Sequence, residues 1–169
     1  MKAFNTKDIT ILAVFIALDI ILTRFFSINV WNIRIGFGFV PTIMVAHMYG
    51  IKFTITECAL SDIIGAVLFP TGAYFVGFTI SAMVMGLIWG SLLYKESNIK
   101  KIVLAVLLIQ VICSMTITSA SISFLYKVPL FTVIIGRIGQ VILMTIVELL
   151  LIPIVINKIC PIIKKRGIY

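Results

Sequence analysis

Ser61-Asp62-Ile63-Ile64-Gly65-Ala66-Val67-Leu68-Phe69-Pro70-Thr71-Gly72-Ala73-Tyr74-Phe75-Val76-Gly77-Phe78-Thr79 is the stretch on which the reading of this chain turns. It begins inside an apolar run, where Asp62 is an ionisable group with apolar neighbours on both sides. It leaves that run through Phe69-Pro70-Thr71-Gly72, a turn signal in which Pro fixes φ and Gly is expected to supply a positive φ. Aromatic residues flank the turn, and a second apolar run starts at once. A buried carboxylate below a tight aromatic turn suits a ligand pocket at a membrane surface.

Composition sets the solvent. The chain has 169 residues, 62% hydrophobic and 12% charged. Soluble domains run about 45–50% apolar and about 25% charged, so this is read as an all-α integral membrane protein. It is too short for more than one domain, and 1–169 is expected to form a single bundle. Six apolar segments can be drawn, over 8–25, 36–49, 52–69, 75–94, 99–124 and 129–156. The second is short for a span of roughly 20 residues. The N-terminal run lacks a small-residue cleavage site and ends in Thr23-Arg24-Phe25-Phe26, so it reads as a retained first helix.

Orientation follows from Lys and Arg. With both termini cytoplasmic, ten basic residues fall on the inner side, three (Arg24, Arg34, Lys127) on the outer side, and Arg137 inside the sixth helix. That asymmetry accounts for the net charge of +8 without nucleic acid, for which the sequence offers no other reason. The first outer loop carries Asn29, Trp31, Asn32 and Arg34 and enters Gly36-Phe37-Gly38-Phe39-Val40-Pro41. The alternation of Asn32 and Arg34 with Ile33 and Ile35 predicts an extended piece.

Charged groups inside a membrane are costly and are functional candidates by default. Asp62, Arg137, Arg24 and Arg34 all fall in the outer half under this topology. They form either a ligand cluster or, more plainly, snorkelling arginines beside an Asp62–Arg137 pair that steadies the bundle. Arg137, Gln140, Met144 and Glu148 share one face of the sixth helix, and Gln110, Ser114, Thr118 and Ser121 one face of the fifth. These stripes suit helix–helix hydrogen bonds or the wall of a cavity. Asp19 and Thr23 make a smaller polar face on the first helix. Glu57 and Glu148 lie toward the cytoplasm, where interface contacts are the simpler expectation. Cys58, Cys113 and Cys160 are dispersed and odd in number, so they read as small apolar packers. His47 is the only histidine, with no ligand partner at metal spacing, and no nucleophile constellation or Walker motif occurs. No cofactor and no enzyme activity is expected. Ala13-x-x-x-Ala17 and Gly86-x-x-x-Gly90 offer small-residue faces for close helix approach.

Taken together, Leu22-Thr23-Arg24-Phe25-Phe26-Ser27, Arg34-Ile35-Gly36-Phe37-Gly38-Phe39-Val40-Pro41 and Ser61 to Phe75 resemble the substrate-binding S components of energy-coupling factor (ECF) vitamin transporters, most closely the folate-specific branch. The resemblance covers essentially the whole chain. One departure is Val76, which stands where the family often has Pro. The resemblance implies a six-helix protein of the bacterial plasma membrane that captures vitamin outside. It would then join a membrane coupling (T) subunit and a pair of cytoplasmic ATPases, docking through Ala13 and Ala17. The chemistry suits folate: Asp62 with Trp31, Phe37, Phe69 and Tyr74 for the pterin, and Arg24, Arg34 and Arg137 for the glutamate tail. Pro70 and Thr71 belong to the same turn. The alternatives are an S component for another vitamin such as pantothenate, a six-helix scaffold of cell-wall elongation, and a small multidrug exporter. The arginines speak against the exporter, because they would repel cationic drugs.

Overall fold

The computed structural model describes residues 6–30, 33–70, 72–95 and 98–165. Among them run six helices and one β-hairpin. Helix α1 spans Thr6–Arg24, and strands β1 (Ile28–Val30) and β2 (Ile33–Ile35) pair antiparallel with Asn29 opposite Arg34. Helix α2 spans Phe39–Tyr49, α3 Ile51–Leu68 and α4 Val76–Leu92. Helix α5 runs Ile99–Tyr126 and α6 Leu130–Ile163, with helical backbone continuing to Lys165. The extended piece expected around Arg34 is thus one arm of the hairpin. Trp31, Asn32 and Thr71 lie outside the described residues, and so does the side chain of Arg34.

The short second segment has a physical explanation. Helix α2 is 11 residues long and buried nearly all round: Phe39, Thr42, Ile43, Met44, Val45, Ala46 and Met48 are all shielded. It packs against α1, α3, α4 and α6, so it needs no lipid-facing stripe and no full membrane length. It joins α3 through Gly50 alone, whose φ of 79° lies where a side chain is strained. His47 Nδ1, 3.0 Å from the Leu93 carbonyl oxygen, ties α2 to the end of α4.

Among the described residues only α5 and α6, at 28 and 34 residues, are long and apolar enough to cross a membrane by length and composition. Six helices are present, but they are not six full-length spans. Helix α6 leaves Ile135, Ile138, Ile142, Ile146 and Leu150 exposed, a face suited to lipid. It also runs past its expected end at Ile156. Pro153 removes one backbone donor without stopping the helix, which passes through a π-helical turn at Val155–Ile159 before Cys160–Lys165.

Helix α5 contains a longer irregularity. Ile109–Thr118 is π-helical between α-helical Ile99–Leu108 and Ser119–Tyr126. Thr116 donates to the Val111 carbonyl at 2.9 Å and Ser119 to the Ser114 carbonyl at 3.1 Å, each reaching five residues back. Lys127, left-handed at φ 54°, ends the helix, and Pro129 precedes α6.

Val76 is the first residue of α4 and follows an extended Phe75. That first helical position is where a Pro costs no hydrogen bond, so the change from the family pattern leaves the helix start intact. The positive φ expected at Gly72 is absent: among the described glycines only Gly50 has one. A Cβ at Gly72 would meet Tyr126 Oη at 3.7 Å, an ordinary contact, so the 69–75 turn bends without left-handed backbone at that glycine.

Candidate functional site

The site lies between α1, α3, α4, α5 and α6, reaching the turn after α3. A cavity of about 390 Å³ is lined by Arg24, Asp62, Pro70, Tyr74, Phe78 and Tyr126 toward the turn. Ser114, Arg137, Gln140, Gln110 and Glu148 line it further along α5 and α6. A second chamber of about 220 Å³ lies toward the hairpin, walled by Asp19, Thr23, Gly36, Gly38, Phe39 and Thr42. The two chambers share Arg24, Asp62, Ala82, Met85, Met144 and Glu148, so they form one bipartite space. Pockets of about 300–1,000 Å³ with mainly apolar walls and a few placed polar groups are usual for small molecules.

Several polar wall residues are held by a neighbouring element. Thr79 on α4 donates to Asp62 Oδ2 at 2.7 Å and receives the Tyr74 hydroxyl at 2.7 Å, so turn, α3 and α4 share one hydrogen-bond chain. Arg24 interacts electrostatically with Asp62 and Asp19. Arg137, only 5% exposed, donates from Nη2 to Ser114 Oγ at 3.1 Å. Gln110 Nε2 donates to Glu148 Oε2 at 3.2 Å. Ser81 donates to the Cys113 carbonyl at 3.3 Å and lies 3.1 Å from the Thr118 hydroxyl. The polar stripes of α5 and α6 therefore serve both readings open in the sequence: they bond across helices and they line the cavity. Ser121 is the exception, donating to its own helix at the Ile117 carbonyl.

The second chamber exists because of glycine. A Cβ on Gly38 would run into Thr23 Cγ2 and Asp19 Oδ1, and one on Gly36 would lie 2.9 Å from Ser27 Cβ. Gly38 is right-handed helical at φ −60°, so its need is space rather than backbone freedom.

Not every sequence-predicted residue reaches this wall. Arg24, Asp62, Pro70, Tyr74 and Arg137 come together around the cavity. Phe69 instead meets Phe25 edge-on at 5.1 Å, and Phe37, 43% exposed, lies 6.5 Å from Phe39. Phe78 and Tyr126 supply the aromatic lining in their stead. For the two acids the simpler expectation of interface contacts does not hold. Glu57, placed by sequence at an inner interface, is 0% exposed and receives the Cys58 thiol at 3.4 Å and the Thr42 side chain. Glu148 is a buried cavity wall residue, which is the second of the two readings open for its stripe. All three cysteines are buried free thiols, and Cys58 and Cys113 also touch the cavity.

Comparison with known proteins places this geometry. The family described as "ECF transporter, substrate-specific component" matches residues 7–163. The folate transporter FolT of Clostridium novyi (strain NT) is 43% identical over 109 residues, which is 64% of this chain and 63% of that protein. FolT of Leuconostoc mesenteroides is 32% identical over 94 residues, 56% of this chain and 50% of the relative. Both alignments thus span less than two thirds of the relatives' length. A crystal structure of FolT bound with folic acid superposes with a TM-score of 0.86 at 29% identity, covering 91% of this chain and 95% of that one.

Proposed function

We propose that this chain, which belongs to the substrate-specific components of ECF transporters, captures folate in the bipartite cavity and hands it to a coupling module for import. The resemblance drawn from the motifs extends over residues 7–163, and the membrane setting follows from it together with the long apolar helices. The observation that carries the folate assignment is the pairing of Arg137 and Arg24 in the wall of one cavity. A guanidinium held dry and aimed at a cavity wants a carboxylate, and the glutamate tail of folate brings two. Tyr74, Phe78 and Tyr126 offer aromatic faces for the flat remainder of the ligand. Asp62 and Asp19 interact electrostatically with Arg24. Arg34, Trp31 and Thr71 belong to the same proposed site.

Orientation belongs to the same reading. Both termini are cytoplasmic, as the ten-to-three split of basic residues indicates, and the six helices form a multi-pass bundle in the bacterial plasma membrane. Ala13 and Ala17 are exposed on α1 and serve as the docking face for the coupling subunit, whose ATPase partners supply the energy. Replacing Ala17 by Trp is expected to abolish co-purification with the coupling module while folate affinity of the isolated subunit stays within about two-fold, because the changed face is turned away from the cavity.

Isothermal titration of the detergent-purified protein with folate, pantothenate and thiamine tests the assignment. Saturable heat from folate alone, accompanied by tryptophan quenching that is lost in Trp31→Phe, is the expected result. Heat from a different vitamin would move the ligand. Silence across all three would return the chain to the scaffold reading.

A further inference from the structure

Glu148 is the polar group that tail recognition leaves over. It is 5% exposed and lies on the wall common to both chambers, beside Ala82, Met85 and Met144. Gln110 is its only hydrogen-bond partner among the described residues, and that bond engages Oε2. The contacts of the two cavity arginines lie with other residues: Arg24 with Asp62 and Asp19, Arg137 with Ser114. Along α6, Arg137 is three helical turns from Glu148, about 16 Å of rise. A carboxyl group facing a cavity among apolar side chains, with acceptor capacity unused, is costly unless a ligand donor fills it.

We propose that Glu148, held in place by Gln110, is the residue that reads the hydrogen-bond donor edge of the pterin. This rests on the folate reading. The pterin presents its ring N3–H and its 2-amino group side by side, a spacing that two carboxylate oxygens match. With the glutamate tail at Arg24 and Arg137, an extended ligand places its other end along Met144 toward Glu148. Met85 and Met144 then lie against the ring, where a thioether packs well. Asp62 fits this role less well. Its Oδ2 already accepts from Thr79 and its charge is met by Arg24, which leaves less for a neutral donor.

The test compares three ligands on wild type and Glu148→Gln: folic acid, the same molecule with its 2-amino group replaced by hydrogen, and p-aminobenzoylglutamate, which has no pterin. Wild type is expected to lose on the order of 10- to 100-fold in affinity when the 2-amino group is removed. Glu148→Gln should bind folic acid more weakly by a similar factor and should no longer distinguish it from the desamino compound. Its affinity for p-aminobenzoylglutamate should match wild type, which also shows that the variant is folded. Glu148→Asp, expected to lose part of the discrimination, serves where the amide variant does not fold. Asp62→Asn should keep the discrimination. Binding of folic acid by Glu148→Gln within about three-fold of wild type overturns the proposal while leaving folate capture standing. So does discrimination that disappears in Asp62→Asn and survives at position 148. Wild type that binds none of the three ligands removes folate itself, and the pterin assignment with it.

Discussion

Arg137→Met is expected to lower folate affinity by at least about 100-fold, since truncating one partner of a buried, hydrogen-bonded charge pair costs roughly 2–5 kcal/mol. The unliganded protein should unfold at the same temperature as wild type or higher. The opposite signs follow from where the charge sits. Arg137 is 5% exposed with its Nη2 on a serine hydroxyl, so the empty protein carries the desolvation of a guanidinium. Taking a charge out of water costs several kcal/mol, a cost that an apolar side chain of similar size does not carry. Ser114 is left able to turn its hydroxyl to a carbonyl of its own helix, as Thr116 and Ser119 already do. Asp62 is not orphaned, because Thr79 and Arg24 remain. Arg137→Lys keeps the charge but loses the planar fork, and an intermediate loss of about ten-fold is expected. Thermal unfolding with and without folate reads both effects on one sample. If Arg137→Met binds folate as wild type does, the glutamate tail does not meet this residue.

How much of this site could be read from residues alone divides along a physical line. Spacing within one helix is legible, because 3.6-residue periodicity puts Arg137, Gln140, Met144 and Glu148 on one face whatever surrounds them. The rotation of that face relative to other helices is not. Sequence gives the depth of Glu57 and Glu148 along the helix axis, but whether they meet an interface or a cavity depends on neighbours that sequence does not give. Glu57 is covered because α2 is short, buried all round and joined to α3 by a single residue, so Thr42 comes to lie against it.

Aromatic residues failed in the same way. Phe37 and Phe69 are adjacent in sequence to the glycines and the turn, yet they meet Phe39 and Phe25 and neither lines the cavity. Tyr126, the last residue of α5 and far away in sequence, reaches it. The π-helical stretch Ile109–Thr118 had one available signal, the density of Ser and Thr from Ser114 to Ser119. Their hydroxyls compete for backbone carbonyls, but nothing in a run without Gly or Pro says that the ladder will shift to five-residue bonds. Alternation shows one extended arm, Ile33–Ile35, but not its pairing with Ile28–Val30, and α2 stands out by its shortness.

Gly90→Val is expected to cost roughly 3 kcal/mol or more of stability, the upper range for overpacking. A Cβ at Gly90 would lie 2.6 Å from Ile51 Cα and 2.9 Å from Ile51 N, and one at Gly86 2.9 Å from the Thr54 carbonyl oxygen. These are backbone atoms at the start of α3, so no side chain can rotate out of the way. The two helices would have to separate, and with them the hydrogen bond of Thr79 on α4 to Asp62 on α3. Folate affinity is therefore expected to fall together with stability. The Gly86-x-x-x-Gly90 pattern thus works inside the subunit, while Ala13-x-x-x-Ala17 remains exposed for a partner. Gly139→Ala on α6 is the control: nothing lies within 4 Å of its added Cβ, and the gain in helix propensity, about 1 kcal/mol, should raise stability slightly. Unfolding followed through Trp89, which is 0% exposed and adjoins Gly90, reads all three proteins. A Gly90→Val protein that melts within about 2 °C of wild type would mean that α3 and α4 do not meet along these glycines, and that the frame holding Asp62 to Thr79 is built some other way.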